Sequence, residues 1–139
     1  MSTPTADDAE HTPPEDLDDS TIEALGMLSE VLEKTERARG RLYDFHQLTG
    51  AADMKLDEAV ELFRKAGHQD VADRVEQQLV GRNVLPGMWT FQILEAYDDG
   101  YFRAFREVEQ QVRKQLAGGR RHLYEAQLKR QRRQGKSYD

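Results

Sequence analysis

Apolar side chains recur along this chain at three- and four-residue steps, and nowhere do they alternate as a strand requires. Ile22, Leu25, Leu28, Leu32, Thr35, Ala38, Leu42, Phe45 and Leu48 fall on one face and predict a helix over 20–49, with Ser20 as its N-cap, Glu23 completing a capping box and Gly50 at its end. Leu56, Ala59, Val60 and Phe63 predict a second helix over 53–66. Val71, Ala72, Val75 and Leu79 predict a third, closed by Gly81, so that 53–80 forms a hairpin turning on Gly67. From Thr90 to Ala117 a further seam runs through Leu94, Tyr97, Tyr101, Ala104 or Phe105, Val108, Val112 and Leu116. Gly118 and Gly119 interrupt it, and a helical pattern then resumes with Leu123 and Leu128 as its apolar edge. The predicted fold is all-α: an elongated helical bundle of coiled-coil character, in which long helices over 20–49 and 90–117 pack antiparallel. The short hairpin lies between them, and a basic helix ends the chain.

Between the hairpin and the second long helix stands "GRNVLPGMWTFQILEAYDDGYF", residues 81–102, which holds five of the eleven aromatics and the sole Trp. Pro86 fixes its own φ and Gly87 allows the chain to reverse, so the segment starts as a turn. Thr90 is then expected to cap the following helix, with Trp89 folding back on its first turn. Trp89, Tyr97 and Tyr101 read as core aromatics at a bundle end; the competing reading is a pocket of two tyrosines and a carboxylate pair. Asp98 and Asp99 are expected to be solvated, with Asp99 pairing to Arg103 one helical turn on. Gly100 costs about 1 kcal/mol inside a helix, which points to close approach of another helix there. This segment, followed by "GGRRHLYEA", resembles a small α-helical family of actinobacterial proteins over roughly residues 20–128. That family has no assigned activity, so the resemblance implies a helical fold and transfers no functional residue.

Charge divides the chain. Residues 1–19 hold seven acidic side chains and no Lys or Arg, and with little to bury they read as a disordered acidic tail. Residues 20–117 form the predicted bundle domain. The basic segment 118–139 completes the chain, and between 113 and 138 nine Lys or Arg face the single Glu125. Arg120, Arg121, Lys129, Arg130, Arg132 and Arg133 are therefore candidates for contacting an acidic partner or a nucleic-acid backbone. Only Tyr124 interleaves them before Tyr138, a poor platform for stacking bases, so nucleic acid is the less favoured partner.

With 37% hydrophobic and 33% charged residues, apolar surface is scarce, and the exposed seams of two long helices favour a homodimer. No run of about 18 apolar residues and no basic, apolar leader is present, which points to the cytoplasm and to no membrane partner. Absence of cysteine excludes disulfides, thiolate metal sites and a Cys nucleophile. The four histidines form no Glu-x-x-His pair; the nearest arrangement is His122 with Glu125, and no metal is expected. Phosphate-loop, dinucleotide and nucleophile-elbow motifs are missing, so no cofactor and no catalytic residue is assigned. "GGRR" at 118–121 is expected to open a helix, where free amides favour an anion. The expected function is a non-catalytic protein-interaction or scaffold role, with Trp89, Tyr97, Tyr101 and the basic residues as contact candidates. Nucleic-acid binding through the basic segment is the alternative.

Overall fold

The computed structural model describes residues 17–134 together with His11 and Lys136; most of the acidic tail lies outside them. It is mostly helical, and among the described residues the sole β feature is an isolated bridge between Leu85 and Met88. The helices are α1 (Asp19–Lys65), α2 (Gln69–Gln78), α3 (Thr90–Tyr97), α4 (Arg103–Ala117) and α5 (Leu123–Arg133), with a π-helical turn at Asp98–Phe102 between α3 and α4. No helix among the described residues is long and apolar enough to cross a membrane.

α1 joins the two helices expected at 20–49 and 53–66 into one of 47 residues. Gly50 does not stop it, because "AADMKLDEA" after Gly50 is rich in good helix formers that outweigh one glycine. Its N-cap is Asp18, not Ser20: the Asp18 carboxylate accepts from the Thr21 amide at 2.8 Å. At the other end Gly67, at φ +85°, closes the helix, and the His68 amide donates to the Phe63 carbonyl at 2.9 Å. Arg64 then reaches into α2 and contacts Asp73 at 2.9 Å and Glu76 at 2.5 Å, which pins the expected hairpin. The turn Leu85–Met88 follows its sequence, with Pro86, Gly87 at φ +71° and the Met88 amide donating to Leu85.

The described residues divide into two compact units: 37–102, and those up to 36 together with those from 103 on. In the second of these, Ile22, Ala117 and Leu123 form a small core with Leu17 and Leu25 against it. Gly26 lets Tyr124 close in, since a Cβ on Gly26 would lie 2.7 Å from that of Tyr124. α4 ends at Ala117 with Gly118 and Gly119 at positive φ, and α5 begins at Leu123. "GGRR" therefore precedes that helix as a turn and does not open it.

In the 37–102 unit the inward face of α1 differs from the expected one. Arg39, His46 and Thr49 are half-buried, whereas Ala38, Phe45 and Leu48 are exposed, Leu48 to 70%. Leu42 stays half-buried as expected, but around it the inward positions lie one residue, roughly 100° of helix, further along than apolarity alone indicates. A second one-residue slip separates α4 from its expected seam. Tyr101, Val108 and Leu116 are exposed, and Phe102, Glu109 and Ala117 are buried in their place. The π turn explains it, because a π turn holds one more residue than an α turn and displaces everything after it by one position.

Candidate functional site

Within the 37–102 unit three polar residues on the inward face of α1, Arg39, His46 and Asp53, each meet a partner. Arg39 donates through Nε to Asp98 Oδ1 at 2.6 Å and through Nη2 to Asp98 Oδ2 at 3.0 Å. His46 Nδ1 and Thr90 Oγ1 are 2.6 Å apart, and Asp53 accepts from the Gly81 amide at 2.8 Å. As the α1 numbers climb through 39, 46 and 53, the partners fall through 98, 90 and 81. These are satisfied half-buried groups, each of which would cost free energy if left alone.

The Arg39 guanidinium also donates to the Tyr43 hydroxyl at 3.1 Å and lies 5.5 Å from the centroid of the Phe102 ring. Tyr97 stacks on Phe102 and on Tyr101, at 6.1 Å and 5.8 Å between centroids. Hydrogen bonding to Arg39 holds the Asp98 carboxyl below its ordinary range, and burial is the main cause that raises the Tyr97 phenol above its own. Two expectations are overturned here. Asp98 is no solvated group, since Arg39 holds it, while Arg103 pairs with Glu107 at 2.8 Å. Nor does Gly100 admit another helix: nothing lies within 4 Å of where its Cβ would be, and its place is the π turn.

Trp89 is 44% exposed, which corrects its expected burial. It lines a shallow hollow of about 70 Å³ with Thr49, Asp53 and Val84. Trp89, not Thr90, is the N-cap of α3, and its amide donates to Gln92 Oε1 at 2.8 Å. Tyr97 is half-buried and Tyr101 is 57% exposed, so this aromatic trio is neither fully core nor a shared pocket.

The other unit holds a larger cavity, of about 320 Å³, whose walls include Ser29, Glu36, Glu109, Arg113 and Arg121. Glu109 is buried there, 3.2 Å from the Arg113 Nε and 3.4 Å from Ser29 Oγ, which donates to it. The Arg113 Nε has no aligned hydrogen bond despite its burial. Sequence reasoning passed over Glu109 because its apolar neighbour Val108 fitted an uninterrupted α-helical seam.

The basic candidates are spread out. Arg120 is half-buried beside Leu123, and Arg121 reaches the cavity rim. Lys129, Arg130 and Arg132 are exposed on α5 and Arg133 half-buried; at roughly 100° per residue the four span an arc of about 160°. His122 Nδ1 stands 3.9 Å from Glu125, both on the surface. Among the described residues no three metal-ligating side chains gather. No protein-family profile, curated protein or solved structure matches the chain.

Proposed function

We propose that this chain is a non-catalytic protein-interaction or scaffold protein that works through the outward face of α1. The observation that carries the reading is the exposed apolar stripe Phe45, Leu48 and Leu62, interleaved with Ala38, Ala52 and Ala66. Side chains of this kind on a helix surface lose water when a second helix covers them, at roughly 25 cal/mol per Å². The descending order of the Arg39, His46 and Asp53 contacts supports the 81–98 segment running antiparallel to α1, a frame stiff enough to present the stripe. The acidic, cysteine-free composition supports action in the cytoplasm, and the 81–102 segment supports kinship with the actinobacterial proteins it resembles.

The rival is nucleic-acid binding through α5, favoured by the charge of Lys129, Arg130, Arg132 and Arg133, which span an arc of about 160° on that helix. Titration with short DNA and RNA duplexes at low and moderate salt, beside light scattering of the free protein, separates the two. Association that Leu48→Glu abolishes, with no duplex binding at low salt, supports the interaction reading. Salt-sensitive duplex binding that Arg130→Glu with Arg133→Glu removes, in a protein that does not associate, replaces it with the rival.

A further inference from the structure

The outward stripe of α1 has a heptad register, and that register selects its partner. Ala38, Arg41, Phe45, Leu48, Ala52, Lys55, Ala59, Leu62 and Ala66 follow one another at alternating steps of three and four residues. All but the half-buried Ala59 are exposed. The stripe holds two basic residues, no acidic one, and small residues between the large ones.

We propose that the occupant of this stripe is a second copy of the same chain, lying antiparallel with the twofold axis between His46 and Gln47. This rests on the interaction reading above and names its partner. In that register Phe45 meets Leu48 of the second copy, Arg41 meets Ala52, and Ala38 meets Lys55, each contact occurring twice by symmetry. Every long basic side chain then faces an alanine, which leaves room for its aliphatic stem to lie along the seam with its charge in water. At the flank Arg37 comes opposite Glu58 of the second copy, an opposite-charge pair of the kind that sets partner and direction in coiled coils. A parallel in-register pair does the reverse. It stacks Arg41 on Arg41 and Lys55 on Lys55, brings Phe45 against Phe45, and leaves a gap where Ala52 meets Ala52.

Orientation is read directly by a spin label on a Glu58→Cys variant, since the chain has no cysteine of its own. At about 1.5 Å rise per residue and 8–10 Å between axes, the two labelled backbones stand roughly 35 Å apart in the antiparallel pair, against roughly 10 Å in the parallel one. A dimer mass by light scattering with a distance near 35 Å is the result expected. A monomer mass across the micromolar range, or a distance near 10 Å, overturns the proposal. If Leu48→Glu leaves a dimer intact, the stripe is not the interface, and the interaction reading falls with it; a short distance in a dimer that Leu48→Glu dissolves removes the antiparallel register alone.

Discussion

Arg39 and Asp98 form the contact on which single-residue effects in the 37–102 unit are most visible. Both side chains are about one-third exposed, at 34% and 29%, so solvent screens part of the attraction. Asp98→Asn leaves a half-buried guanidinium without its anion, and we expect a loss of about 1–3 kcal/mol, measured by urea unfolding. The carboxyl of Asp98 ionises more readily folded than unfolded, so its contribution is present above the unfolded value near pH 4. It is lost as pH falls through the lower folded value, and the acid limb of stability against pH should be shallower in the Asn variant. Asp99, exposed one residue away, should tolerate the same change within about 0.5 kcal/mol. Trp89→Ala should cost about 1–2 kcal/mol by the same assay. That is well short of the roughly 3–5 kcal/mol for a fully buried aromatic, because so much of the ring is already in water.

At the scale of elements, glycine and the π turn give opposite signs to similar changes. Gly50 lies inside α1 with open space around it, so Gly50→Ala should raise stability by about 0.5–1 kcal/mol. Gly26→Ala should lower the melting temperature instead, since the new methyl meets Tyr124 Cβ and Cγ at 2.7 and 2.9 Å. The π turn predicts tolerance of a deletion that would ruin an ordinary helix. Removing Gly100 converts π to α while Phe102, Glu109 and Ala117 keep their inward positions, so cooperative melting should persist. Removing Gln110, inside α4, turns the remainder of that helix by roughly 100° and should abolish it. Helical content, the Gly67 turn and the Leu85–Met88 turn were legible from spacing and punctuation. The two phase slips were not. In α1 the inward positions carry Arg39, His46 and Thr49, and the partners of the first two, Asp98 and Thr90, lie far along the chain and give no local signal. In α4 the extra residue of the π turn has no apolar signature, only "DDGYF", whose glycine is as readily taken for a contact point.

For the whole molecule the division that matters lies between two adjacent faces of α1, one packed inside its own unit and one exposed. The polar inward face is held by specific pairs. The apolar outward face is exposed in the isolated chain, and the proposed self-association would cover it. Leu48 and Thr49 are neighbours on opposite sides of that division, so Leu48→Cys and Thr49→Cys, compared by thiol labelling of the native protein, test it most directly. At nanomolar protein the Leu48→Cys thiol should react at close to the rate of a free thiol and the Thr49→Cys thiol several-fold more slowly. Raising the protein to about 100 µM should then slow labelling of the Leu48→Cys variant alone. Faster labelling of Thr49→Cys than of Leu48→Cys at nanomolar protein would show that the apolar face is the inner one, and would contradict the account.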